Sequence, residues 1–150
     1  MTNKIPPPIL TILTMAAVWG VSRLSLLPTK SLPYQSYIGL SVSVLGLIIL
    51  LISGMGFKRA KTTVNPFRPQ STSSIVDTGI YAISRNPMYL AMAVVILGYV
   101  IGLGQILGLL PLLAFILYIT AFQIKPEERA LTEKFGAAYT DYKSRVRRWI

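Results

Sequence analysis

The sequence predicts an all-α, polytopic integral membrane protein in one domain of 150 residues. About four transmembrane helices are expected, closed by a C-terminal amphipathic helix at the membrane surface. Hydrophobic residues make up 53% of the chain and charged residues only 13%, with a mean hydropathy of +0.58. That is more apolar surface than a domain of this size can bury by itself. The apolar residues also fall in long uncharged blocks, and ~20 such residues are what a hydrocarbon core ~30 Å thick asks of a helix.

The first span, residues 9–27, starts behind the helix-excluding Pro6-Pro7-Pro8 and stops at Pro28, with Arg23 near its far end. No small-residue cleavage pattern follows it, so it is expected to be retained and not removed as a leader. The second span covers 36–57. Residues 88–124 contain no charged side chain, and at ~1.5 Å rise per residue they are too long for one crossing. A hairpin of spans 88–103 and 105–124 is expected, turning at Gly102, Gly104 and Gln105; one long tilted helix is the alternative. After Pro126, the residues Leu131, Phe135, Tyr139, Tyr142, Val146 and Trp149 recur at steps of four and three. They form the apolar stripe of a helix over 126–148 that either anchors at the membrane surface or covers a cofactor. Gly136 is placed to cap its first half.

Orientation follows from the positive charges, because translocated loops near spans are poor in Lys and Arg. With both termini cytoplasmic, thirteen of the fifteen basic residues lie on the cytoplasmic side, and only Arg23 and Lys30 on the other. The net charge of +10 therefore reads as topology and contact with anionic lipid headgroups, and nucleic acid is not an expected partner. A prokaryotic plasma (inner) membrane is expected, although an endoplasmic reticulum membrane obeys the same rule. The chain has neither cysteine nor histidine, which removes the usual zinc, haem and iron–sulfur ligands, so no metal site is expected. Any general base must be Glu, Asp, Tyr or Lys. This favours a nucleophile that arrives deprotonated and a reaction driven by positioning.

Two polar constellations flank the hairpin. The cytoplasmic loop 58–87 ends in Asp77-Thr-Gly-Ile-Tyr81 and Ser84-Arg85-Asn86-Pro87-Met88-Tyr89-Leu90, which sets an arginine and two tyrosines where the chain meets the membrane. Directly after the last span comes Lys125-Pro126-Glu127-Glu128-Arg129. Simple boundary chemistry accounts for both: Arg for headgroup phosphate, Tyr for the interfacial belt, Pro at a first helical turn, and paired carboxylates complementing a helix dipole.

Their order and spacing carry more. Thr63-Val-Asn-Pro66, Gly79-Ile-Tyr81, Ser84-Arg-Asn-Pro-Met-Tyr89, an apolar hairpin, Glu127-Glu128, and Phe135-Gly136 with Tyr139 and Tyr142 ahead of Arg145-Val-Arg-Arg-Trp-Ile150 together resemble the isoprenylcysteine carboxyl methyltransferase family and the wider phospholipid methyltransferase group. The resemblance runs from about Thr62 to the C-terminus. It implies a helical membrane enzyme that takes S-adenosyl-L-methionine from the cytosol and a lipid-like or prenylated acceptor from the bilayer. Carboxyl methylation is the first expectation, and phospholipid N-methylation or a non-catalytic scaffold the alternatives. By the same resemblance Tyr81, Arg85, Asn86, Pro87, Tyr89 and Leu90 would line the cofactor pocket, Glu127 and Glu128 would close its other side, and Tyr139 and Tyr142 would bind the cofactor from the covering helix. Glu127, Glu128 and Arg85 are the expected catalytic residues. The chain departs from the family pattern at Asn86, Ala91 and Ala121, where relatives commonly carry His, Gly and Arg.

Overall fold

The computed structural model describes residues 5–24, 32–59 and 74–150, with backbone alone for 57–59. The end of the first predicted span, the Thr63–Pro66 motif and most of the loop 58–87 lie outside the described residues. Among those described, all regular structure is helical: α1 (Pro7–Arg23), α2 (Gln35–Arg59), α3 (Pro87–Leu103), α4 (Leu109–Tyr118), α5 (Lys125–Phe135) and α6 (Ala137–Arg145), with a π turn at Ile119–Ile124 and 3-10 turns at Gly79–Ala82 and Ile106–Gly108.

Pro87 starts α3 as expected, whereas α1 starts at Pro7, ahead of the expected residue 9, so that Pro7 and Pro8 lie in its first turn and only Pro6 stands outside; a missing N–H in a first turn costs no helical hydrogen bond. Gln35 starts α2 with both ends of its amide: Oε1 accepts from Leu32 N at 3.0 Å and Nε2 donates to Gly102 O at 3.4 Å, tying α2 to the end of α3. Gly104 closes α3 in the left-handed conformation, with φ of 66°, and the chain reverses through Gln105 into α4. The hairpin turn thus falls where its glycines predict.

α3 is the centre of the bundle. Met92, Ile96 and Val100 are buried with Val18 of α1, Leu112 and Phe115 of α4, and Ile119. Its other neighbour, α2, runs antiparallel at backbone contact. A Cβ on Gly39 would stand 2.5 Å from Gly98 O and Gly102 N, one on Gly46 would stand 2.8 Å from Val95 N, and Ser43 Oγ donates to Val95 O at 3.3 Å. Small residues four apart, Gly39 and Ser43 against Gly98 and Gly102, are the pattern by which helices approach closely when lipid removes the hydrophobic drive between them.

The outer faces are apolar. Leu40, Leu51, Leu110 and Leu117 are each more than 60% exposed, an arrangement lipid accommodates and water does not. Among the described residues two helices are long and apolar enough to cross a membrane: Gln35–Gly56, of 22 residues, and Ile106–Phe135, of 30. At 17 residues α3 is shorter.

The second of these runs differs from the sequence expectation of a break between a span ending at 124 and a new helix at Pro126. Helix continues through the π turn into α5. Proline in a helix removes one N–H and presses its ring on the carbonyl four residues back. The wider i to i+5 ladder of a π turn absorbs that misfit without ending the helix.

Further on, Gly136 at φ 53° and ψ −123° separates α5 from α6. Helix then ends at Arg145, short of the expected 148, and Val146 is extended. The stripe Tyr139, Tyr142 and Val146 is buried against Ile75, Leu131 and Phe135, while Trp149 packs on the main core. The apolar face of the C-terminal region is therefore covered by protein.

Candidate functional site

The two polar constellations of the sequence meet. Ser84, fully buried, accepts from Asn86 N at 3.1 Å and turns the chain into α3. On the first turn of α3, Tyr89 points its hydroxyl at α5 and donates to Glu127 Oε1 at 2.8 Å. Gln123 Nε2 donates to the same oxygen at 2.8 Å. Arg85, with its side chain only 8% exposed, lies 3.2 Å from Glu128 Oε1 through Nη1.

A third strand of chain completes the cluster from the C-terminus. Arg148 holds Glu128 with two hydrogen bonds, Nε to Oε1 at 3.0 Å and Nη2 to Oε2 at 2.7 Å. The backbone around it is tied down as well: Arg85 N donates to Arg147 O at 3.0 Å and Asn86 Nδ2 to Arg148 O at 3.0 Å. Residues 146–150 thus form a strap across the 84–86 segment. Tyr142 Oη donates to Tyr81 O at 2.7 Å, and Tyr81 Oη reaches Ser53 O of α2 at 3.4 Å, which brings α2, α6 and the 3-10 turn together.

Of the residues expected to act together, these bonds make three sets: Tyr89 with Glu127, Arg85 and Asn86 with Glu128 through Arg148 and the strap, and Tyr81 with Tyr142. Tyr139 lies within electrostatic reach of Arg85 and Glu128. Pro87 is buried at the helix start, and Leu90 is half-buried. Sequence reasoning missed two members. Gln123 had a legible signal, as a lone amide in an otherwise apolar block four residues before Glu127. Arg148 had none, being one of several arginines near the terminus.

One carboxylate therefore faces two guanidiniums, and the Arg85, Arg148 and Glu128 cluster carries net positive charge in a nearly dry setting. The two hydrogen bonds from Arg148 to Glu128 raise the arginine's pKa further. Burial pushes the Tyr139 hydroxyl up to about 12 and moves Tyr81 and Tyr142 upward as well, so all three are neutral donors at physiological pH. Outside Glu128 and Arg148 opens a groove of about 500 Å³, with Ala121, Lys125, Arg129 and Lys143 also on its walls.

The family resemblance implies S-adenosylmethionine, and the donor set suits it. Carboxylates accept from ribose hydroxyls or an ammonium, guanidiniums pair with a carboxylate, and tyrosine faces take a sulfonium or an adenine.

An antiparallel pair of helices in small-residue contact, apolar outer faces and a charged cluster at one end of the bundle define an all-helical protein of the kind that suits a membrane. The chain belongs to the phospholipid methyltransferase family, whose model matches residues 34–138, within the isoprenylcysteine/phospholipid methyltransferase group. The match extends from the start of α2 into α6. The chain is also 44% identical over 63 residues to an uncharacterized protein of Haemophilus influenzae, covering all of that protein and 42% of this chain. No solved structure matches it. Membership in this family implies a methyltransferase associated with a membrane.

Proposed function

We propose that this protein is an S-adenosylmethionine-dependent methyltransferase acting on a lipid-like or prenylated acceptor at the cytoplasmic face of a prokaryotic inner membrane, with a carboxylate oxygen as the methylated atom. On this reading α1, α2, α3 and the apolar part of Ile106–Phe135 are four crossings, and both termini are cytoplasmic. The observation that carries the proposal is the meeting of Glu127 and Glu128 with the 81–89 segment through Tyr89 and Arg85.

The bound cofactor supplies an electrophilic methyl group on a sulfonium. The residues around it orient and exclude water. Tyr89 and Gln123 both donate to Glu127 Oε1 and fix that carboxylate as an acceptor for cofactor hydroxyl or ammonium groups. Arg85, held by Glu128, keeps a cation beside it and is suited to a carboxylate. Near-attack positioning in a dry site supplies the rate, and a lipid-borne acceptor need never leave the bilayer to reach it.

Phospholipid N-methylation is the second reading, favoured by the description of the matched family. It needs a base for the amine proton, and Glu127 is the candidate. Its engagement with two donors on one oxygen counts against that role, since a carboxylate already satisfied by hydrogen bonds is a poorer proton acceptor.

Calorimetry of S-adenosylmethionine and its demethylated product on the detergent-purified protein tests the reading, with Glu127→Ala and Tyr89→Ala variants alongside. Micromolar binding weakened in both variants is expected. A well-folded preparation that binds neither compound refutes the enzyme and leaves a scaffold that keeps the fold. A radiolabelled methyl product that is lost in alkali marks an ester, and one that survives marks N-methylation.

A further inference from the structure

We infer that the groove outside Glu128 is a seat for the oxyanion headgroup of a membrane-borne amphiphile, with Lys125 and Arg129 as its cationic ligands. The inference deepens the proposed function, because such an amphiphile is the class from which the acceptor would come.

A single line of side chains along one helical run carries the argument. Leu113, Leu117, Ala121, Lys125 and Arg129 follow at steps of four, each about 40° further round an ideal α-helix, and the wider π turn at Ile119–Ile124 takes back part of that drift. Leu113 and Leu117 are 52% and 61% exposed, and Ala121, Lys125 and Arg129 are exposed as well. The line therefore passes from bulky apolar through small to cationic, which matches the order of acyl chain, glycerol or thioether, and headgroup in an amphiphile lying along it. The groove of about 500 Å³ begins where this line becomes polar, at Ala121, whose methyl group leaves the space open.

The charge of the groove is unbalanced in favour of an anion. Lys125, Arg129, Lys143 and Arg148 face Glu128 and Glu133 across it, and Glu128 is already shared between Arg85 and Arg148. Among the described residues neither Lys125 nor Arg129 lies within ion-pair distance of a carboxylate. A basic helix face in plain water needs no groove and no apolar continuation. Here the same face has both, and a phosphate or carboxylate on a lipid would complement the cations while its tail covered the exposed leucines.

Native mass spectrometry of the full chain in detergent tests this, with phosphatidylglycerol, phosphatidylcholine and inorganic phosphate as three separate probes. Wild type is expected to retain phosphatidylglycerol in preference to both others. Lys125→Gln and Arg129→Gln are each expected to weaken that retention about fivefold, the effect of ~1 kcal/mol per cation near a lipid surface. Lys134→Gln, nine residues from Lys125 and so half a turn out of phase on α5, is expected to leave it unchanged. Equal losses in all three variants, or no loss in the first two, would overturn the seat in favour of diffuse surface charge. Inorganic phosphate binding as tightly as the lipid would overturn the amphiphile. Calorimetry of the demethylated cofactor separates this from the enzyme reading: persistent lipid preference without cofactor binding leaves the seat standing and removes the methyltransferase.

Discussion

At the scale of single residues, Glu128 is the one on which most depends. Its carboxylate is the counter-ion of a guanidinium whose side chain is 8% exposed and of a second that is 34% exposed. Removing one member of a buried pair leaves the other without its compensation, a cost of about 3–5 kcal/mol. Glu128→Ala is expected to lower the thermal midpoint in detergent sharply, and Arg148→Ala to lower it less, because Arg85 still neutralises Glu128; equal effects would show that Arg85 alone does not compensate the carboxylate. The tyrosines give a pH signature. Burial raises the Tyr139 hydroxyl from 10.0 to about 12, so the folded state holds this proton more tightly than the unfolded chain does. Stability from that burial is fully present below pH 10 and is lost as pH climbs through about 12. Tyrosinate absorbance rising together with loss of helix over that window is the expected result, and a simple titration at ordinary tyrosine pH with the fold intact would contradict it.

At the scale of elements, the contact between α2 and α3 is governed by glycine. Gly39 has no room for a methyl group, with Gly98 and Gly102 backbone 2.5 Å from where Cβ would stand, whereas nothing lies within 4 Å of that position at Gly54 on the same helix. Gly39→Ala is expected to force the helices apart at a cost of about 1–3 kcal/mol, and Gly54→Ala to stabilise by up to ~1 kcal/mol through helix propensity. Opposite signs in two matched melts are the test. Gly39, Ser43, Gly98 and Gly102 stand in the sequence, but the sequence analysis found no motif in the first two spans, because nothing local says which helix a small-residue face will meet. The π turn is similar. Pro126 is visible, but whether a helix stops there or widens to pass depends on the packing of Ile119, Gln123 and Ile124, all buried.

At the scale of the whole molecule, the C-terminal strap decides whether the site exists. Residues 146–150 bring Arg148 to Glu128, bind the Arg85 backbone amide and the Asn86 side chain, and seat Trp149 on the main core. A chain ending at Arg145 is expected to keep its helical content in detergent, because α1 to α4 pack without the strap. Its Arg85 backbone amide should exchange hydrogen at least tenfold faster, and an unchanged rate there would mean that the strap is ornamental. The sequence by itself determined the helical class, the apolar blocks, the proline starts, the Gly104 turn, the Gly136 break and the two polar constellations. All of these follow from hydropathy, capping and backbone freedom, which act within a few residues along the chain. Only the tertiary structure decided that Tyr89 meets Glu127 across 38 residues, that Gln35 meets Gly102 across 67, that the tyrosine stripe is covered by protein, and that Arg148 rather than any neighbouring arginine completes the cluster. Such pairings are set by how packed helices bring distant segments together, and chemically equivalent side chains become distinguishable only once that packing has placed them.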